Sequence, residues 1–147
     1  MQKEDYLVYV DHFNNKRYDK LMAYLCPDVI IEYSSAFVPV GEKPRTLKGR
    51  DEFVNFYRTL HTFVDEYLEL MDFLSNEKLV FAELYTEFYC FKEPPKELGL
   101  YWREGEIRIM INWVLYNIAA DGRFERIRIA HFRTLEPSVA KRFVSNK

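Results

Sequence analysis

Apolar positions recur along this chain first at helical and then at strand spacing, and the change of period falls near residue 62. Tyr6, Tyr9, Val10 and Phe13 lie three and four apart, which places them on one face of a first amphipathic helix. Asn14-Asn15 breaks that helix. Leu21, Met22 and Leu25 begin a second, short one that Pro27 is expected to stop, because proline restricts the residue before it and has no amide proton to donate. Residues 28–33, DVIIEY, are β-branched and brief, and predict a strand. Pro39, Gly41, Pro44 and Gly49 punctuate the connection that follows. Asp51 then stands as the cap of a third helix, whose apolar stripe is Phe53, Phe56, Tyr57, Leu60 and Val64.

Beyond residue 62 the composition turns to strand. Residues 67–74 and 78–92 read as a hairpin turned by Ser75-Asn76-Glu77. In the second strand Val80, Ala82, Leu84, Thr86, Phe88 and Cys90 form an apolar face expected to meet the helices, while Glu83, Tyr85, Glu87 and Tyr89 make a mixed opposite face. Residues 93–104, with Pro94-Pro95 and Gly99, are longer than a hairpin needs and end in Leu100, Tyr101 and Trp102, as a flap over a pocket would. Residues 106–119 are apolar on both faces, like a central strand covered on two sides. Asp121-Gly122 turns them into a last strand, 124–134, where Ile127, Ile129 and His131 face one way and Arg126, Arg128 and Phe132 the other. The tail from residue 137 reads equally as a short helix or as loose chain. The expected class is α+β: three N-terminal helices packed on a strongly curved, mostly antiparallel sheet, a cone-shaped barrel with one open end.

The order helix, short strand, long loop, helix between Asn14 and Thr62 also has a vocabulary: Asn14, Pro27-Asp28, Ile30-Ile31-Glu32-Tyr33, Pro39-Val40-Gly41, Pro44-Arg45, Gly49 and Phe56-Tyr57. In these words the chain resembles the nuclear transport factor 2-like superfamily, and within it the ketosteroid isomerase and SnoaL-like polyketide cyclase branch. The likeness is close from about Tyr9 to Tyr57 and architectural afterwards. It implies a ligand pocket inside the cone. It also implies a role for Tyr9, which matches a tyrosine that donates a hydrogen bond to a substrate oxyanion, and for Tyr57, which matches the tyrosine supporting it. Both residues read as well as ordinary amphipathic aromatics. Tyr33 stands where the isomerases have their catalytic aspartate, and a phenol titrating near 10 is no base at neutral pH. The second oxyanion donor of that family is a protonated acid, and the matching stretch, Ile111-Asn112-Trp113-Val114, has none; Asn112 or Trp113 is left to donate.

Composition narrows the reading. A chain of 147 residues, 48% hydrophobic and 17% aromatic, suits one domain with a sizeable core. A formal net charge of −2 with interspersed signs gives no basic footprint for nucleic acid, and no apolar run reaches bilayer length. Cys26 and Cys90 lack metal or redox spacing, and reduced thiols in the cytoplasm are the simplest expectation. Neither phosphate-binding glycine loops nor nucleophile signatures occur, the three histidines are far apart, and no cofactor is implied.

For acid and base work the strands offer His131 and Asp72. His131, on the face of Ile127 and Ile129, is expected near the mouth of the cone, as a base near neutrality or as a hydrogen-bonded structural histidine. Asp72 shares a face with Leu68, Leu70 and Leu74 unless the strand is bulged there, either as a carboxyl of raised pKa or in an ion pair with Arg108 or Arg128. Tyr33, Tyr57, Asn112, Thr86 and Phe88 are the expected ligand contacts. The function read from this is proton transfer on an apolar carbonyl or aromatic small molecule, of polyketide cyclase, dehydratase or isomerase type. The alternative is the same cone as a non-catalytic binding or assembly module. In either case Tyr85, Tyr89 and Trp113 on the outer sheet face suit a homodimer interface.

Overall fold

The computed structural model describes residues 1–34 and 44–143, so the Pro39-Val40-Gly41 word lies outside the described residues. Helices α1 (Lys3–Asn14), α2 (Tyr18–Met22) and α3 (Arg50–Leu60) cover one face of a six-stranded sheet. Its strands are β1 (Leu25–Tyr33), β2 (Thr46–Lys48), β3 (Val64–Ser75), β4 (Leu79–Cys90), β5 (Ile107–Ile118) and β6 (Phe124–Leu135), in the order β2-β1-β6-β5-β4-β3. Only the β1–β6 pairing is parallel. This is the expected α+β arrangement, and the sheet is open rather than closed.

Several boundaries move for identifiable reasons. α2 ends at Met22, well before Pro27, and Pro27 lies inside β1, where the β1–β6 register shifts between Leu25 and Ile30. A residue with no N–H fits where the ladder is interrupted. The cap of α3 is Gly49 rather than Asp51. Gly49 has φ 90°, its N–H donates to Val29 O at 2.7 Å, and a Cβ there would meet Pro27 O at 3.3 Å, so the turn into α3 needs glycine. Asp51 and Glu52 fall in the first turn instead, where negative charge suits the helix dipole. The short β2, absent from the sequence reading, pairs antiparallel with the free edge of β1.

The helices are anchored by polar as well as apolar contacts. Tyr6 is fully buried and its hydroxyl meets that of Tyr116 on β5 at 2.6 Å. Asn14, the last residue of α1, behaves like a strand neighbour of the edge strand β3: its Nδ2 donates to Leu68 O at 2.9 Å and its Oδ1 accepts from Leu68 N at 2.8 Å. Asn14→Ala removes both bonds from a part-buried edge and is expected to cost about 1–3 kcal/mol of stability, read from the midpoint of urea unfolding. A change of a few tenths would show that water replaces the asparagine without loss.

The even face of β4 faces the helices as expected, with Val80, Ala82, Leu84, Thr86, Phe88 and Cys90 all buried. β3 departs from its expected alternation. Leu70 pairs with Leu84 but Asp72 pairs with Glu83, which leaves Met71 as a bulged residue. The bulge exchanges the two faces of the strand beyond it. Phe73 turns inward against Tyr6, with ring centroids 5.5 Å apart, and Asp72 and Leu74 turn outward and are exposed. Asp72 therefore does not enter the cone.

The outer sheet face has a core of its own. Tyr85, Ile109 and Ile111 are buried there with Tyr67, Ile107, Leu135 and Ala140 packed against them. The tail covers this cluster, turning through a 3₁₀ helix at Pro137–Val139 and passing over Glu87. The fully buried Glu87 carboxylate accepts from the Tyr85 hydroxyl and from the backbone N–H groups of Lys141, Arg142 and Phe143. Tyr85 is thus covered by its own chain, contrary to the expectation of an exposed interface aromatic, and Tyr89 stacks on Phe143 at 6.1 Å. Trp113 remains 38% exposed, stacked on Phe132 at 4.2 Å and 14°.

Candidate functional site

The space between the helices and the inner sheet face holds two connected chambers. An inner one of about 80 Å³ is bounded by Tyr9, Thr86, Asn112 and Tyr116 together with apolar side chains such as Leu84 and Ile127. An outer one of about 320 Å³ is bounded by Phe56, Leu100, Trp102, Met110, Arg45 and Arg108. Tyr33, Tyr57, Glu66 and Phe88 line both, and so mark the passage between them. The segment after β4 contributes Gly99 to Trp102 to the outer wall, with Leu100 buried, which is the flap position expected for residues 93–104.

The passage is built from three elements. Val64 and Leu68 bury their side chains against the helices, and Glu66, between them on the same face of β3, is carried inward with them, paired across the ladder with Phe88. Its side chain is only 6% exposed. His61, at the C-terminal cap of α3, presents Nε2 to Glu66 Oε1 at 3.0 Å and Nδ1 to the Tyr18 hydroxyl at 2.6 Å. Burial pushes the Tyr18 phenol up to about 12, against the opposing pull of Arg58. The assignment that satisfies all three groups has Tyr18 O–H donating to Nδ1 and Nε2–H donating to Glu66 Oε1. The second Glu66 oxygen has no hydrogen-bond partner among the described residues.

Opposite Glu66, the hydroxyls of Tyr33 and Tyr57 are hydrogen-bonded to each other. Burial raises both phenols well above 10, and the Glu66 charge adds to this in each case. They remain protonated at neutral pH. Cations edge the outer chamber: the Arg45 guanidinium lies 4.5 Å over Phe56, and that of Arg108 lies 3.8 Å over Trp102 while bonding Glu106 at 2.6 Å.

The expected residues divide accordingly. Tyr9, Tyr33, Tyr57, Thr86, Phe88 and Asn112 all line the cavity. The tyrosine pair is Tyr33 with Tyr57, however, while Tyr9 packs its ring among Tyr6, Tyr24, Tyr116 and Phe124. Burial also raises the Tyr9 phenol well above 10. His131 pairs with Asn112 across the β5–β6 ladder, beside a register shift at Ile111/Asn112, and its Nε2 meets Thr134 Oγ1 at 2.9 Å. It lines neither chamber, so the expected base at the mouth is not where the cavity lies. Asp72 is outside, as the bulge requires. The buried, hydrogen-bonded carboxylate and imidazole that the sequence reading missed are Glu66 and His61. The signal was the alternation Val64, Glu66, Leu68, Leu70, hidden because Val64 was assigned to the helical stripe and the strand was begun at residue 67.

Comparison with known proteins places the fold. No protein-family model and no curated protein sequence matches the chain. Solved structures do: an NTF2-like protein of unknown function from Burkholderia pseudomallei superposes with a TM-score of 0.66 at 16% identity over 94% of each chain. IdmH from Streptomyces antibioticus, a proposed polyketide cyclase, gives 0.66 at 17% identity over 90% of this chain and 93% of its own. A ketosteroid isomerase-like protein from Erwinia carotovora atroseptica gives 0.52 at 16% over 86% and 90%. Among the described residues no helix is long and apolar enough to cross a membrane. With three helices laid on one face of an open six-stranded sheet around a two-chambered cavity, the chain has the nuclear transport factor 2-like fold.

Proposed function

We propose that this protein is a small-molecule enzyme that moves a proton on an apolar carbonyl or aromatic ligand, with Glu66 as the base and the Tyr33–Tyr57 hydroxyl pair as the electrophile. The observation behind this is the Glu66 carboxylate, 6% exposed, hydrogen-bonded to His61 and lining the passage between the chambers beside the paired tyrosines. A buried carboxylate aimed into a cavity is expensive unless it is used or paired. Here one oxygen is paired with His61, and the residue lines both chambers. In the reaction, Glu66 takes a proton from the carbon beside a carbonyl, the C–H electron pair moves onto the carbonyl oxygen, and protonated phenols stabilise that developing charge without reorganising. The enolate then regains a proton at another carbon or closes onto a second electrophilic carbon, the two outcomes shared by isomerases and cyclases. His61, held by Tyr18, positions the carboxylate. The cyclase assigned to IdmH supports this reading through its fold alone.

The test is exchange of the α-protons of 2-tetralone, a flat enolisable ketone, in deuterated buffer, followed by proton NMR. Catalysed exchange that depends on Glu66 is the expected result. Exchange no faster than in buffer for 2-tetralone and similar flat ketones would leave the cavity as a binding site without proton chemistry.

We also propose a homodimer through the part of the outer face that the tail leaves open. Trp113 and Phe132 form an exposed stacked pair there, with Phe81 beside Trp113 at 6.3 Å. Stacked aromatics at a surface are typical of association sites. Sedimentation velocity is expected to give a dimer for the wild type and a monomer for Phe132→Glu; a wild-type monomer refutes it.

A further inference from the structure

The outer chamber holds a cation with no counterion in contact. Two guanidinium groups line it, each laid on an aromatic face, Arg108 at 3.8 Å over Trp102 and Arg45 at 4.5 Å over Phe56. Arg108 already has its counterion: Nε donates to Glu106 Oε2 at 2.6 Å, and Nη2 donates to Glu106 Oε1 at 3.2 Å and to Tyr101 O. The half-buried Arg45 has none, for among the described residues it forms no ion pair and its side chain donates no hydrogen bond. The remaining charged group on the chamber wall is Glu66, whose Oε1 is taken by His61. Arg45 is nevertheless held in place, since its carbonyl oxygen accepts from Tyr33 N at 3.0 Å beside the β1–β2 ladder. Its charge reaches into the cavity, where it draws the Tyr33 phenol down against the larger upward effect of burial. The face of Phe56 offers a guanidinium no acceptor, so the N–H donors of Arg45 are left for solvent or for a ligand.

We infer that Arg45 anchors a carboxylate of the ligand, so that the cavity takes flat apolar acids with their rings inward and the acid group in the outer chamber. This rests on the reading of the two chambers as one ligand pocket, and not on Glu66 as the base. The chemistry of the walls selects the carboxylate. A planar guanidinium meets it with two parallel N–H bonds, and its single negative charge matches the single unpaired cation. A phosphate dianion would bring a second charge to Arg108, which Glu106 already neutralises. A neutral carbonyl would accept the same bonds without offsetting the charge, and such bonds are roughly half as strong. Orientation follows from the inner chamber of about 80 Å³, where the charged group on the wall is Glu66, so the acid end is repelled and the apolar end enters first. With the acid held at Arg45, the body of the ligand passes between Glu66 and the Tyr33–Tyr57 pair. Ring-bearing keto acids are thus the substrate class this pocket separates from their amides and esters.

The experiment titrates 2-naphthoate, 2-naphthamide and naphthalene at neutral pH against the full chain, its Arg45→Gln variant and its Glu66→Gln variant, by calorimetry and by NMR. Wild type is expected to bind 2-naphthoate about 10–100-fold more tightly than the amide of the same shape, the scale of hydrogen bonds between charged partners. Arg45→Gln is expected to lose that preference while still binding 2-naphthamide, and Glu66→Gln to keep it. The Arg45 Nε–H signal of the wild type is expected to move with 2-naphthoate and not with naphthalene, a readout that needs no variant to fold. Equal affinity of wild type for acid and amide, no binding of any probe, or a preference that survives in Arg45→Gln would each overturn the anchor. So would a preference that appears only in Glu66→Gln, which would make Arg45 a partner of the Glu66 charge instead. None of the probes is enolisable, so a failed exchange assay with 2-tetralone removes the proposed chemistry and leaves this test intact, while equal affinities here remove the anchor and leave the exchange assay intact.

Discussion

Glu66→Gln is expected to lower the rate of α-proton exchange by about 10²–10⁴-fold, the range that a positioned general base contributes. The change keeps the shape of the side chain, and its carbonyl oxygen still accepts from His61 Nε2, now at 3.0 Å from Oε1. What it removes is the lone pair that receives the proton. The loss therefore falls on kcat, with KM little altered, because an amide of the same volume leaves the walls of both chambers unchanged. Thermal unfolding is expected to stay close to the wild type, since an uncharged glutamine relieves the burial of a carboxylate whose exposure is only 6%. Wild-type kcat in Glu66→Gln would assign the proton to another group and reduce Glu66 to a partner of His61.

The sequence made the fold legible because its signals agreed across levels. The Tyr6, Tyr9, Val10, Phe13 stripe, the brief β-branched run ending at Tyr33, and the long alternating strand with Val80 to Cys90 inward each pointed to helices on one face of a sheet, and each is found so. The site was half legible. Thr86 and Phe88 could be placed by strand period, Tyr57 and Asn112 only through the resemblance, and all four line the cavity. The proposed acid–base residues could not, because they depend on a bulge and a junction. One extra residue at Met71 moves Asp72 from the inner face to the outer. The turn between Leu60 and Val64 is tight enough that the helix stripe and the strand alternation overlap in sequence, and this concealed both His61 and Glu66. The tail was illegible for a different reason: its binding site is made of the acceptors of one glutamate, and no periodicity announces backbone N–H groups as the partner of a carboxylate.

That glutamate carries the other large expectation. Glu87→Gln is expected to destabilise the protein by about 2–4 kcal/mol at neutral pH, since charge-assisted bonds to a buried carboxylate are worth roughly 1.5–3 kcal/mol each before compensation. Glutamine can turn only one oxygen toward the N–H groups of Lys141, Arg142 and Phe143, and its own NH₂ then confronts donors. Burial works to raise the Glu87 carboxyl, but the bonds from Tyr85 and the three N–H groups outweigh it and hold the group below its ordinary 4.5. A pKa lowered by folding contributes stability that is complete above the unfolded value and disappears as pH falls through the folded one. Wild type and Glu87→Gln should therefore differ most at neutral pH and converge on the acid side of 4.5, measured as the gap between their urea midpoints. Hydrogen exchange locates the effect: amide protection of Lys141, Arg142 and Phe143 is lost in the variant at neutral pH, and the Tyr85, Ile109 and Ile111 cluster loses its cover. A gap that stays constant with pH, or protected tail amides in the variant, would mean that apolar contact alone holds the tail to the sheet.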